Sequence, residues 1–170
     1  MGTTVSFTSA QTVKLLKANS FTAVTGTTTR TISGSLLIPA NTIVGGEILE
    51  LTARVNKTGA VASYLLSVYI NEIVDIAIPA QRIAITPGLN AAVLSAQLQR
   101  TIDVPDNATA VSFRLSSGSF TDSTFDVNDI LELPVDWTVD QYIMLAIENG
   151  STADSTKGVG MFLKIFKYLD

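Results

Sequence analysis

Residues 49–56 restrict this chain more than any other stretch. Leu49, Leu51, Ala53 and Val55 share one parity, and Glu50, Thr52, Arg54 and Asn56 share the other. Successive side chains of a strand point to opposite sides, so the segment reads as a strand with one dry and one wet face. Its surroundings repeat the pattern. Before it, Leu36-Leu37-Ile38 runs into Pro39, which lacks a backbone donor and so ends a ladder. After the turn-forming Lys57-Thr58-Gly59, Tyr64, Leu66, Val68 and Ile70 alternate with Leu65, Ser67 and Tyr69. Three strands separated by turn signals exclude a helical domain here.

The same period continues to the end of the chain. Strands are expected at residues 12–17, 82–86, 94–102, 111–115, 129–133, 139–148 and 159–169, with Pro105-Asp106-Asn107, Ser117-Gly118-Ser119 and Asn149-Gly150 as turns. Residues 72–91 read as an insertion between strands. A chain of 170 residues fits one domain with a real core. The fold class that follows is all-β, a two-sheet antiparallel sandwich. Residues 30–170 form the sandwich. Residues 1–29, rich in threonine around Gly26, form an N-terminal arm or edge segment.

Composition narrows function by removal. There is no cysteine and no histidine, so disulfides, thiol nucleophiles, the commonest general base and the commonest zinc ligand are missing together. Serine has no partner histidine to activate it and no Gly-x-Ser-x-Gly elbow to present it. The expectation is therefore a protein that is not an enzyme, with no catalytic residues, no metal site and no cofactor. A net charge of −4, with eleven Lys and Arg scattered singly, argues against a nucleic-acid partner. No apolar run approaches the roughly 20 residues of a spanning helix, so no membrane partner is expected.

Charged residues are only 15% of the chain, against about 25% in ordinary soluble domains, while hydrophobic residues are 46%. That imbalance points to oligomer interfaces. The final strand makes the point locally, with Val159, Met161, Leu163, Ile165 and Leu169 on one face and Phe162, Phe166 and Tyr168 on the other. The 139–148 strand, read as its neighbour, has Ile143, Leu145 and Ile147 opposite Tyr142, Met144 and Ala146. An outer strand of a monomeric sandwich needs one apolar face, so Phe162, Phe166, Tyr168, Tyr142 and Met144 are the candidate oligomer interface. The competing reading covers both faces within one chain, using the opposite sheet and the 72–91 insertion.

The most pointed polar feature is acidic. Asp122, Asp126, Asp129, Glu132, Asp136 and Asp140 fall in a stretch without Lys or Arg. Calcium takes such oxygens, but the spacing departs from the EF-hand and lacks its turn glycine, which leaves a solvated acidic edge or an interface. Trp137, the single tryptophan, stands beside Asp136 and Asp140. An exposed aromatic among acids would make a platform for glycan, whereas a tryptophan entering a strand is a core or interface anchor.

The run Leu36-Leu37-Ile38-Pro39-Ala40-Asn41-Thr42-Ile43, followed by glycines and alternating leucines, resembles the start of small jelly-roll domains in tailed-bacteriophage virion proteins. Asp140-Gln141-Tyr142-Ile143-Met144-Leu145 with the last strand is similar to the strand pair that closes those domains. The resemblance spans roughly residues 30 to 169. It implies a jelly-roll-like sandwich and a structural component of a bacteriophage virion. Specifically, it implies a homotrimeric capsid decoration or head-fibre subunit at the particle surface, in contact with other virion proteins. The alternative is a tail or fibre-tip module that binds host-surface glycan through Trp137, Asp136 and Asp140.

Overall fold

The computed structural model describes residues 11–18, 20–77, 80–105, 110–114 and 130–168. Its elements are all strands: β1 (Gln11–Ala18), β2 (Ala23–Thr25), β3 (Thr31–Ile38), β4 (Ile48–Thr58), β5 (Tyr64–Asn71), β6 (Gln81–Ile85), β7 (Ser95–Asp103), β8 (Ala110–Arg114), β9 (Ile130–Pro134), β10 (Gln141–Asn149) and β11 (Ser155–Tyr168). Every pairing is antiparallel. The larger sheet runs β1-β11-β4-β7-β8-β9, with β2 beside the start of β11, and the smaller runs β3-β10-β5-β6.

Setting aside β2 and the β8–β9 hairpin leaves two four-stranded sheets, β1-β11-β4-β7 and β3-β10-β5-β6. Numbered along the chain, those eight strands lie in the orders 1-8-3-6 and 2-7-4-5. That is the double Greek key of a jelly roll, in which the chain changes sheet at every connection but the one between β5 and β6. The expected all-β sandwich is what the chain forms, and β8–β9 widens one sheet.

The alternation sets the core. Leu49, Leu51, Ala53 and Val55 of β4 meet Leu66, Val68 and Ile70 of β5 in a single cluster, joined by Ile143, Leu145 and Ile147 and by Met161, Leu163 and Ile165. In β11 the parity changes partway. A bulge between Gly158 and Gly160 switches the inward set from Thr156 and Gly158 to Met161, Leu163 and Ile165, leaving Val159 51% exposed. The uninterrupted face expected from Val159 to Leu169 is corrected by that extra residue. Phe21 needs two glycines, because a Cβ on either Gly34 or Gly158 would strike its ring.

β10 and β11 do not pair, contrary to expectation. They lie in opposite sheets and face each other across the core. Asn149-Gly150 does not close a hairpin because the connection 150–154 is pinned elsewhere: Gly150 donates its amide to Ser63 O at 2.8 Å, and Asp154 binds the β4–β5 connection. The part of residues 1–29 that the structure describes supplies β1 and β2, and places Ala18 and Val24 in the core. The acidic residues Asp122, Asp126 and Asp129 lie outside the described residues.

Candidate functional site

The outer face of the larger sheet gathers apolar side chains on its β1 side. Register places Val13 beside Phe166, Leu15 beside Lys164, and Lys17 beside Phe162. Across β11, Phe162 neighbours Thr52 and Phe166 neighbours Ile48. Val13 is 53% exposed and Leu15 61%, while Phe162 and Phe166 are half-buried among these neighbours. Two polar contacts cross the strip: Lys164 reaches Glu50 at 3.5 Å, and the Arg54 guanidinium lies 5.6 Å from the Phe162 ring centre. Arg54 thus lies over the Phe162 ring, while Val13 and Leu15 stay exposed. Tyr168 pairs with Gln11 through the backbone at the far end of the same strand.

The other two interface candidates sit on the opposite side of the molecule. Tyr142 and Met144 belong to the outer face of the smaller sheet, where Tyr69, Met144 and Ala146 form a second cluster packed by Ile32, Ile76, Ala80 and Tyr142. Met144 is 0% exposed. The segment between β5 and β6 contributes Ile76 and Ala80 to this cover, so the chain itself occupies the place where a partner would contact Met144. Arg30 fastens the edge of this face, donating to the Tyr69 hydroxyl at 3.0 Å and pairing with Glu148 at 2.7 Å.

Trp137 is 4% exposed and belongs to the main core, so it is no exposed platform for a sugar ring. The turn at residues 39–42 is what brings it in. Asn41, at φ 58°, donates its amide to Trp137 O at 2.7 Å, and the Ala40 amide donates to Asp140 at 2.8 Å. Asp140 therefore serves as a clasp between two connections. Asp136 accepts from the hydroxyl and amide of Thr138, which together hold its carboxyl below the usual carboxylate range.

Beside Asp136 lies a cleft of about 140 Å³ lined by Ile70, Glu72, Gln81, Pro134, Asp136 and Gln141, among others. The amide groups in its wall are spent internally: Gln141 donates to Asp136 O at 2.7 Å, Gln81 to Pro134 O at 3.4 Å and Asn71 to Asp75 O at 3.0 Å. What faces outward is carboxylate. Glu72, Glu132, Asp136 and Asp140 are all exposed around this end of the sandwich, and none forms an ion pair among the described residues. No group of three or more metal-ligating side chains occurs among the described residues.

One charged constellation escaped the sequence reading. Lys57 and Asp154 form an ion pair at 3.0 Å with both side chains fully buried. Lys57 also donates to Ala62 O at 2.6 Å and Ala91 O at 3.3 Å, and its ammonium lies 5.4 Å from the Tyr64 ring centre. Burial pushes the Tyr64 hydroxyl up to about 12. Burial likewise pushes the Asp154 carboxyl up, but the amides of Val61 and Ala62 and the Lys57 ammonium outweigh it and hold the group below its usual range. With all three of its hydrogens engaged, Lys57 has no free electron pair for nucleophilic work, and the pair is a structural clamp. Parity held the missed signal: Lys57 continues the inward series Leu49, Leu51, Ala53 and Val55.

No family model matches this chain, and no curated protein matches it. Among solved structures, it is similar to the laminarinase from Rhodothermus marinus, with 12% identity and a TM-score of 0.31 over 81% of this chain and 72% of that one. Similarity at that level carries no argument about activity.

Proposed function

We propose that this chain is a structural jelly-roll subunit that acts by associating with copies of itself, and that it is not an enzyme. The observation that carries the reading is the apolar strip of Val13, Leu15, Phe162 and Phe166 on the larger sheet, left uncovered by the described residues, where the smaller sheet's equivalent face is closed by its own chain. An exposed apolar surface of this kind, interrupted by Lys164 and bordered by Lys17, on a chain so poor in charge marks a protein contact. The resemblance of residues 36–43 and 140–145 to tailed-phage virion jelly rolls supplies the finer reading: a homotrimeric capsid decoration or head-fibre subunit at the particle surface.

Light scattering tests the self-association. The wild-type chain is expected at a multiple of its 18.0 kDa mass, and Val13→Asp with Leu15→Asp is expected to lower that multiple without loss of the β-sheet circular dichroism signal. A wild-type monomer at tens of micromolar would overturn the reading. The virion assignment has its own check, saturable binding of the purified chain to tailed-phage heads, and it fails if the chain binds none.

A further inference from the structure

The cleft beside Asp136 offers acceptors to whatever enters it. It lies between the end of β5, the start of β6 and the segment that joins β9 to β10. Gln141 is 3% exposed in its wall and directs its amide nitrogen at Asp136 O. Gln81 directs its own at Pro134 O, and Asn71 its own at Asp75 O. A backbone carbonyl only accepts, so these contacts fix which end of each amide is nitrogen and which is oxygen. The Asn71 oxygen receives the Glu72 amide hydrogen. The other two receive none: Gln141 Oε1 has no partner among the described residues, and Gln81 Oε1 is buried without one. An acceptor left unmet away from water costs free energy, which a donating ligand would recover.

Charge selects the donor. Glu72 and Asp136 are exposed at the rim and form no ion pair among the described residues, and no Lys or Arg lines the cleft. Thr138 donates twice to Asp136 Oδ1, which leaves Oδ2 without a partner. From this set we propose that the cleft binds a primary ammonium group carried on a short alkyl stem. An ammonium has three donors and no acceptor, the complement of two free amide oxygens beside two carboxylates. Ile70, Pro134 and Val135 give the stem an apolar wall, and about 140 Å³ accommodates head and stem. An anion would meet the carboxylates with like charge, and a neutral hydroxyl compound would leave both charges unanswered. Calcium takes six to eight oxygens, and no third metal-ligating side chain joins Glu72 and Asp136 among the described residues.

The same head group comes on a free amine or on a lysine side chain of another protein. Titration of the ¹⁵N-labelled full-length chain at fixed ionic strength tests the site, with the side-chain amide signals of Gln81 and Gln141 as the readout. The probes are ethylammonium, Nα-acetyl-lysine methylamide, ethanol and calcium chloride. Ethylammonium is expected to shift both signals saturably in roughly the millimolar range, the ceiling for so small a ligand, while ethanol and calcium do not. Tighter binding of the lysine amide identifies a protein lysine as the natural source, and entry of ethylammonium alone identifies a free amine. Glu72→Gln with Asp136→Asn is expected to weaken binding on the order of tenfold, and Gln81→Met, which keeps both charges, is expected to weaken it as well. Absence of a saturable shift with both amines overturns the proposal. Equal shifts with ethanol, tighter binding of calcium, or unchanged affinity in either folded variant overturn it too.

Discussion

Both sheets carry apolar residues on their outward faces, yet the two faces end up in opposite states. On the smaller sheet, Tyr69, Met144 and Ala146 disappear beneath Ile32, Ile76, Ala80 and Tyr142. On the larger sheet, Val13 and Leu15 remain exposed beside half-buried Phe162 and Phe166. The strands account for part of the difference, since Lys164 interrupts the outer face of β11 whereas Tyr142, Met144 and Ala146 run unbroken on β10. The course of the connections accounts for the rest. The segment between β5 and β6 is long enough to fold back over its own sheet, while no described connection crosses the face of β1 and β11. An apolar outer face is thus a requirement for cover, and the source of cover depends on the loops.

The sharpest way to break this comparison is to place the same charge on both faces. Met144→Asp puts a carboxylate where the chain has already excluded water and should cost about 4 kcal/mol or more in urea unfolding, because the charge has no partner there. Removing the cover is gentler. Ile76→Ala, at a partly buried site, should cost about 1–2 kcal/mol and raise binding of an apolar dye, turning the closed face into one like its counterpart. If the dye signal does not change, other residues provide the cover.

Acid tests what both faces depend on, the joining of the sheets at the Lys57–Asp154 clamp. The Asp154 carboxyl is held below its ordinary 3.8, so the folded state binds fewer protons than the unfolded chain in that range. Its contribution is complete above pH 4 and is lost as pH falls through the depressed folded value. Lys57→Met should reduce that part of the acid dependence, the Val61 and Ala62 amides keeping the rest, as followed by unfolding at pH 5 and pH 3. An unchanged acid profile would show that other carboxylates set it. The smallest effect belongs to the open face: Leu15→Asp should leave subunit stability within about 0.5 kcal/mol, as is usual for exposed positions, while changing oligomer mass. A large loss of stability would mean that the subunit and its assembly fold as one.

What was legible in the sequence followed from local geometry. The faces of β4, β5 and β10 could be read because side chains alternate with a period of two whatever the neighbours are. Pairing could not be read this way. The alternation of β10 and β11 is compatible with lying side by side or face to face, and only contacts between distant segments decide between them. The same limit applies to the candidate interface. Phe162 and Phe166 were grouped with Tyr142 and Met144 by composition, and the sheet order then placed the two pairs on opposite sides of the molecule. Trp137, entering a strand, reads as a core anchor and is one, but its hold on Asn41, 96 positions away by residue number, is a long-range contact that alternation does not carry. Lys57 was read as part of a turn because Gly59 follows closely. In fact Gly59, at φ 90°, turns the chain just after the buried lysine, and a Cβ there would meet the Asp154 carboxylate.

The position of β11 has a consequence for the order in which the molecule can assemble. β11 lies between β1 and β4, and also pairs with β2, although it follows all of the other described strands along the chain. Until residues 155–168 are available, β1 has no neighbour in its sheet and β4 lacks one of its two. Early strands must therefore wait for late ones, and the loop closures that reward them span most of the chain. Such topologies fold slowly, and during the wait their unpaired edges are open to strands from other chains. The unpaired edges of β1 and β4 are therefore expected to stay open until residues 155–168 have been made, an interval in which newly made copies can meet one another.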